Sequence, residues 1–452
     1  MILHISMATS LFLMSLLMFM LDSNPCTALS WRNNSLVDDI GIPCPVSPHP
    51  FTMCKSEAEA YGYPCEDHKV TTEDGYILSL KRIPHGHDTD NSTGDEKTRQ
   101  PILLFHGLFV DGVSWLLGTP DQSLGFILAD GGFDVWLANT RGTNTSRKHT
   151  SLSPKNPAFW DWSWDQIAEY DLPAVLEFVY HHTGRQKVHY IGHSLGTLII
   201  LAAFSEHKLL HLVRSAVLLC PIAYLSRTRS DLTRLAAKMF MAEAVYRIGI
   251  HEFNPVGKVA AQLLAKVCGD PKIDCHDVFS ALAGPDCCLN KSTTCAFMLH
   301  APQPTSMRNL IHLSQSKNRN QKLKFSLVQS SGTMLTFLIP ICMQPVVRSE
   351  GVRRYDYGNA KENMKHYKQA HPPLYNLSSI PTHVPMLLTH GGQDFLGDVP
   401  DTRHLLKTLV RNHDSDNIEV QYLPDYAHAD FVIAYNAPRL VYEPMVDFFQ
   451  RH

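Results

Sequence analysis

Short, uninterrupted runs of apolar residues recur along most of this chain, and each run ends at a glycine or a polar turn. Stretches with helical spacing lie between them, such as 164–182 and 196–207. Strands that are apolar on both faces lie in parallel sheets covered by helices, so the alternation predicts an α/β fold with a central, mostly parallel sheet and helices on both faces. The six runs that predict its strands are 101–105, 133–138, 188–191, 216–219, 385–388 and 418–423.

Two shorter strands, at 68–72 and 76–82, are predicted before this alternation, with a turn between them. The alternation stops in a mostly helical stretch that offers no convincing strand. We therefore predict an α/β core of residues 29–224 and 376–452, with a helical cap or lid of residues 225–375 inserted into it.

Two segments of the predicted cap stand out. The pattern at 232–250 predicts an amphipathic helix, either a core helix of the insertion or a lid that faces an apolar substrate. The segment 317–347 has neither helical capping nor clean alternation. We expect it to be disordered or loosely docked, and its place in the mature protein is open.

The N-terminus carries a strongly apolar run at 11–21, which is shorter than the roughly 20 residues that span a bilayer. Small residues follow it, so 1–28 is predicted to be a signal peptide, with a membrane anchor as the alternative. A cleaved signal predicts a secreted protein, or a vacuolar or lysosomal one that follows the secretory pathway. No later segment has the apolar pattern of a transmembrane helix, so none is expected after cleavage. Candidate glycosylation sites that fit export are Asn33, Asn91, Asn144, Asn290 and Asn376.

Export also changes how the 11 cysteines are interpreted. Cys54 and Cys65 lie close together and are candidates for a disulfide, whereas Cys220 lies in an apolar run and is expected to be a buried free thiol. In an oxidising compartment, disulfides are favoured over a zinc site for a cluster of five, with connectivity open. These five are Cys268, Cys275, Cys287, Cys288 and Cys295.

Composition excludes several function classes. The net charge of -3 argues against a nucleic-acid-binding protein, which would carry a basic face. The sequence has no H-E-x-x-H, no P-loop and no G-x-G-x-x-G after a strand, so we expect neither a metal nor a cofactor.

The sequence G-H-S-L-G at 192–196 follows a predicted strand and precedes a predicted helix. This is the context of a nucleophile elbow, in which a strained turn lifts the serine hydroxyl above the strand ends. Ser194 is therefore the predicted nucleophile.

A nucleophilic serine needs a histidine base that an acid holds, and in this fold the chain order is Ser, Asp or Glu, then His. Asp394 follows a late strand in a glycine-rich turn, with Asp398 and Asp401 as alternatives. His428 follows the last predicted strand and is the predicted base. His390 and His383 are less favoured because both precede Asp394.

An oxyanion hole needs two backbone N–H groups. The residue after the nucleophile, Leu195, is one expected donor. Leu108, in the F-H-G-L sequence after the strand at 101–105, is the other. His106 is expected to orient this loop rather than to act in catalysis.

Several motifs are distributed between residue 54 and the C-terminus. They are C-E-D-H at 65–68, T-E-D-G-Y at 72–76, F-H-G-L at 105–108, A-N-T-R-G-T at 138–143, F-W-D-W-S-W at 159–164, E-Y-D-L-P-A at 169–174, G-H-S-L-G at 192–196, G-G-Q-D at 391–394 and H-A-D-F at 428–431. Together they resemble the acid lipase family of α/β-hydrolases, which contains lysosomal acid lipase and gastric lipase, and above all its plant branch.

The resemblance implies that Ser194, Asp394 and His428 match the catalytic triad and that Leu108 and Leu195 match the oxyanion donors. Many members have Gln at the position of Leu195, but a backbone donor does not depend on the side chain. The chain departs from the family pattern at 317–347, because the family passes from 309–313 to 354–358 with far fewer residues between.

Residues and resemblance together predict a secreted serine ester hydrolase that acts on neutral lipids, triacylglycerol above all, at the lipid–water interface through an acyl-enzyme. Two alternatives stay open. One is an acyltransferase that uses the same triad with an alcohol acceptor. The other is a non-catalytic lipid-binding member of the fold, which predicts a lost triad, whereas all three positions are filled here.

Overall fold

The computed structural model describes residues 53–87, 99–230, 233, 241–254, 280, 282–289, 291–317, 351–411 and 417–452. Several predictions fall outside these ranges, namely those for the signal peptide 1–28, for 318–347, and for Asn33, Asn91, Asn290, Cys268 and Cys275. Among the described helices, none combines the length and the apolar character needed to cross a bilayer.

The described strands form one large sheet and one small one. They are β1 (Glu66–Thr71), β2 (Tyr76–Ile83), β3 (Pro101–Phe105), β4 (Asp134–Ala138), β5 (Lys148–His149), β6 (Val188–His193), β7 (Val213–Leu219), β8 (Glu252–Phe253), β9 (Thr305–Ser306), β10 (Met386–Gly391) and β11 (Ile418–Leu423). The large sheet has the order β1-β2-β4-β3-β6-β7-β10-β11, with β5 beside β2. Neighbours from β4 to β11 are parallel, whereas β1–β2 and β2–β4 are antiparallel. All six predicted core strands and the earlier strand pair are confirmed.

Helices cover both faces of this sheet, and others lie in the region predicted as the cap. The described helices are α1 (Leu124–Asp130), α2 (Trp164–Gln166), α3 (Leu172–His182), α4 (Leu195–Ser205), α5 (Met241–Arg247), α6 (Lys291–His300), α7 (Met307–Lys317), α8 (Ala360–Tyr367), α9 (Val399–Val410), α10 (Asp430–Ile433) and α11 (Glu443–Arg451). Short π or 3-10 turns lie at Cys54–Ala58, Glu59–Tyr61, Gly112–Trp115, Pro157–Trp160, Ile167–Asp171, Leu377–Ser379 and Pro438–Tyr442. The turn at Ile167–Asp171 joins α2 to α3, so the helix predicted at 164–182 is continuous.

Strand β3 shows why the apolar runs are uninterrupted. Its side chains alternate between two buried apolar clusters, with Leu103 and Phe105 in one and Ile102 and Leu104 in the other. Because each face of the sheet is covered by its own cluster, every position of the strand is buried.

The region predicted as the cap contains α5 to α8 and the antiparallel pair β8–β9. No convincing sheet strand was predicted here, and the large sheet takes none of its described strands from this region. The β8–β9 pair is separate, and its two-residue strands are too short to produce a readable alternation. Of the helix predicted at 232–250, the structure describes α5 as its C-terminal part.

The cysteine predictions are confirmed where the structure describes them. Cys54 and Cys65 form a disulfide, and Cys287 is bonded to its neighbour Cys288. Cys220 is a buried free thiol.

A buried ion-pair network connects three of the sequence motifs. Arg141, in the loop after β4, is fully buried and donates from Nε to Asp171 at 2.7 Å and from Nη1 to Asp74 at 2.6 Å. Its guanidinium also lies 3.9 Å from the ring centre of Tyr76. The turn between β1 and β2, the loop after β4 and the start of α3 are therefore held together by the Arg141 guanidinium.

Replacing Asp171 with Ala is expected to lower the free energy of unfolding by about 3–5 kcal/mol, because the buried charge of Arg141 loses a partner. Urea denaturation measures this loss. The matched control is Arg451→Ala, which breaks the exposed pair of Arg451 with Glu419 and is expected to cost about 0.2–1 kcal/mol. Equal losses in the two variants would contradict the structural role of Arg141.

Candidate active site

The carboxyl ends of the parallel strands meet at one edge of the sheet, where ligand sites of α/β folds lie. Ser194 directly follows β6, and Asp394 lies three residues after β10. His428 lies in the loop after β11. The topology therefore brings three residues that are distant in sequence to the same edge.

Ser194 occupies a strained turn, with φ 53° and ψ −114°. Its N–H donates to the carbonyl of Leu219 at 3.0 Å, and α4 begins at the next residue. A Cβ added to Gly196 would lie 2.5 Å from the carbonyl oxygen of Phe105, so the turn requires glycine at this position. This is the geometry of a nucleophile elbow.

Asp394 and His428 form a buried hydrogen-bonded pair, with 2.9 Å between Oδ2 and Nδ1. The carboxylate only accepts, so Nδ1 carries the hydrogen. The other carboxylate oxygen accepts from the N–H groups of Leu396 at 2.8 Å and Gly397 at 2.7 Å. Within the described residues, Nε2 of His428 is buried and has no hydrogen-bond partner. Its lone pair is therefore available to a hydroxyl group.

The elbow and the histidine loop are in direct contact. His193 donates from Nε2 to the carbonyl oxygen of His428 at 3.2 Å, and the Cys220 thiol reaches the same oxygen at 3.4 Å. Desolvation lowers the pKa of His193 to about 3, so this ring stays neutral. Sequence analysis missed both contacts. The available signal was that His193 and Cys220 each lie within two residues after a predicted parallel strand.

Leu108 and Leu195, the predicted oxyanion donors, line the same open pocket. His106 also lines it and fixes the loop, donating from Nδ1 to Gly107 O at 2.8 Å and accepting from Thr140 N–H at 3.1 Å. Burial lowers the pKa of His106 to about 4, which keeps the ring neutral for this role. A Cβ on Gly107 would lie 2.9 Å from Ser194 Cβ, so the loop lies directly against the nucleophile.

The alternative acids are engaged elsewhere. Asp398 accepts from Arg229 Nε at 2.8 Å, and Asp401 accepts from Arg227 N–H at 2.8 Å. Arg229 also donates from Nη2 to the carbonyl of Asp394 at 3.0 Å, so it supports the turn that carries this acid. Of the alternative bases, His390 packs against Tyr422 and His383 is exposed.

The chain is similar to known proteins over most of its length. The family profile "Partial alpha/beta-hydrolase lipase region" matches residues 54–119, and "alpha/beta hydrolase fold" matches 100–252. Triacylglycerol lipase 2 of Arabidopsis thaliana is 44% identical over 399 residues, which cover 88% of each chain. Gastric triacylglycerol lipase of Bos taurus is 34% identical over 391 residues, which cover 85% of this chain and 88% of that one. This chain belongs to the acid lipase family.

A solved structure agrees on the fold. A soluble variant of monoglyceride lipase from Saccharomyces cerevisiae aligns with a TM-score of 0.50 and 13% identity, covering 90% of this chain and 99% of that one. The predicted α/β-hydrolase fold is therefore confirmed. The predicted resemblance to the acid lipase family is confirmed as well, and the lipase relatives do not favour the acyltransferase alternative.

Proposed function

We propose that the protein hydrolyses acyl ester bonds of neutral lipids, triacylglycerol among them, with Ser194, His428 and Asp394 as its triad. Family membership makes it a lipase-type serine ester hydrolase. The observation that carries the triad assignment is the buried Asp394–His428 pair. Among the described residues His428 Nε2 has no hydrogen-bond partner, and it lies in the loop that contacts the Ser194 elbow.

In the proposed mechanism, His428 Nε2 accepts the Ser194 proton as Oγ attacks the ester carbonyl carbon. The N–H groups of Leu108 and Leu195 stabilise the resulting oxyanion, and each such donor typically contributes about 10²–10³ in rate. His428 then gives the proton to the leaving alcohol, and an acyl-enzyme remains. Water activated by His428 releases the fatty acid, while Asp394 holds the required tautomer throughout.

We further propose that residues 225–375 form a cap over this site. The carbonyl oxygen of Ala283, within this region, accepts from the N–H groups of both Phe395 and His428, at 3.2 and 3.3 Å. Gly284 packs so closely against the carbonyl of Gln393 that a Cβ would collide with it. The proposed cap therefore contacts both the acid loop and the base loop, and such a cover excludes bulk water, which strengthens the electrostatic interactions inside the site.

Export through the secretory pathway, to the exterior or to a vacuolar or lysosomal compartment, is part of the proposal. The Cys54–Cys65 disulfide supports it because such bonds persist in oxidising compartments. The candidate glycosylation sites Asn144 and Asn376 are exposed, as acceptors must be.

The purified protein is expected to release fatty acid from a triacylglycerol emulsion and to react with a fluorophosphonate probe at Ser194. A panel of triacylglycerol, sterol ester and short-chain ester measures the first property, and peptide mass spectrometry measures the second. Labelling without release from any lipid ester would contradict the lipase assignment. Acyl transfer to an added alcohol that outpaces hydrolysis would favour an acyltransferase instead.

A further inference from the structure

Three side chains with metal-binding atoms converge at the proposed active site, and one of them is the triad base His428. One ligand atom each from His193, Cys220 and His428 lie within 4.8 Å of one another. They come from the ends of two adjacent strands, β6 and β7, and from the loop after β11. The proposed hydrolysis leaves the Cys220 thiol without a chemical task.

We propose that His193, Cys220 and His428 form a binding site for a soft divalent cation such as Zn²⁺, and that its occupation inhibits the enzyme. The inhibitory part rests on the proposed function, because the cation would take the nitrogen lone pair that otherwise accepts the Ser194 proton. The binding part stands on the ligand geometry alone.

His428 is arranged as a metal ligand already. Its Nδ1 donates to the Asp394 carboxylate at 2.9 Å, and its Nε2 is buried without a partner in the described part of the chain. Metal-binding histidines commonly donate their second ring N–H to a carboxylate, which fixes the tautomer and makes the free nitrogen more basic.

The other two ligands suit the same kind of cation. Nitrogen and sulfur donors favour zinc over magnesium or calcium. His193 donates from Nε2 to the His428 carbonyl at 3.2 Å, so the lone pair that this ring offers to a cation lies on Nδ1. Bond lengths of about 2.0–2.3 Å place tetrahedral ligands roughly 3.5 Å apart, so these side chains need to close by only about 1 Å. A water molecule would complete the tetrahedron.

Binding requires one proton to leave. The Cys220 thiol is fully buried and donates to the His428 carbonyl at 3.4 Å, so it carries its proton before a cation binds. Coordination replaces the S–H bond with a metal–sulfur bond, and the proton goes to solvent. The two charges of the cation are then balanced by the thiolate and by the Asp394 carboxylate, so the buried site carries no net charge.

A second cluster in the described residues serves as the matched control. Ligand atoms of Glu66, His68 and His182 meet the same distance limit. There, however, Arg82 Nη1 lies 3.2 Å from Glu66 Oε2, so a cation already occupies the carboxylate. Removing His182 changes a three-ligand cluster far from the proposed triad.

Cobalt binding tests the site without hydrolysis. The Ser194→Ala protein keeps all three ligands, and titration with Co²⁺ is expected to produce a near-ultraviolet thiolate-to-cobalt band. Adding Cys220→Ala or Cys220→Ser is expected to abolish the band, whereas adding His182→Ala leaves it unchanged. The Ser variant preserves a donor for the His428 carbonyl, so it guards against loss of the fold. A missing band, or a band that survives both Cys220 variants, overturns the site.

Zinc inhibition tests its effect. Hydrolysis of a soluble ester is measured against Zn²⁺ concentration, with each variant normalised to its own metal-free rate. Cys220→Ser is expected to need about 100-fold more Zn²⁺ for half-inhibition, since even outer-shell changes cost 10–100-fold in affinity, whereas His182→Ala matches wild type. Equal sensitivity of Cys220→Ser and wild type overturns the inhibitory role. If the proposed function is wrong, the Ser194→Ala protein will still hydrolyse the ester. The cobalt titration measures binding alone, so its result can be interpreted in either case.

Discussion

Replacing Ser194 with Ala is expected to lower kcat on a soluble ester by about 10⁶-fold, the scale seen when a triad serine is removed. Without Oγ no acyl-enzyme forms, and the remaining groups only polarise the carbonyl toward direct attack by water. Stopped-time assays with purified protein, together with loss of fluorophosphonate labelling, measure the effect.

Ser205→Ala is the matched control for this variant. Ser205 lies at the other end of α4, where its hydroxyl donates to the carbonyl of Ala202 at 2.8 Å. It is expected to hydrolyse the ester at close to the wild-type rate. Hydrolysis by Ser194→Ala at a comparable rate would refute the nucleophile assignment.

Replacing Asp394 with Asn is expected to lower kcat by about 10⁴-fold while KM changes little. The amide NH₂ can donate to Nδ1, which favours the tautomer that carries its hydrogen on Nε2. That nitrogen then cannot accept the Ser194 proton. The backbone donors Leu396 and Gly397 still meet an oxygen at this position, so the turn is expected to persist.

The neighbouring acids provide the comparison. Asp398→Asn and Asp401→Asn remove carboxylates that are bonded to the 227–229 segment rather than to His428. A kcat loss in either variant as large as that of Asp394→Asn would mean that the acid is misassigned. Circular dichroism of all three variants separates a catalytic loss from unfolding.

The sheet was predictable because its strands are buried on both faces. In β3, Ile102 and Phe105 belong to opposite clusters, so no polar position interrupts the run. Ser194, Asp394 and His428 were also within reach of sequence, because parallel strands bring their carboxyl ends to one edge and the fold fixes the order of the residues. Local pattern and chain order together therefore predicted the core and nominated the triad.

Contacts that depend on strand register and loop path were not predictable. The carbonyl of His428 meets His193 and Cys220 only because β6 and β7 are paired so that His193 faces Leu219. The bond between Cys287 and Cys288 could not be chosen from a cluster of five cysteines. The short strands β8 and β9 pair although about 50 residues separate them in sequence, and two-residue segments are too short to predict such a pairing.

The carbonyl of Ala283 gives the proposed cap a structural role besides covering the site. It is the shared acceptor of N–H groups from the loop that carries the acid and the loop that carries the base. Each bond is worth about 0.5–1.5 kcal/mol, and a buried donor left without an acceptor costs more. This part of the proposed cap therefore stabilises the active-site loops, and moving it away would destabilise the positions of Asp394 and His428 together. We expect a lipid to enter the site past other segments of the proposed cap, because releasing 282–284 would break both of these hydrogen bonds.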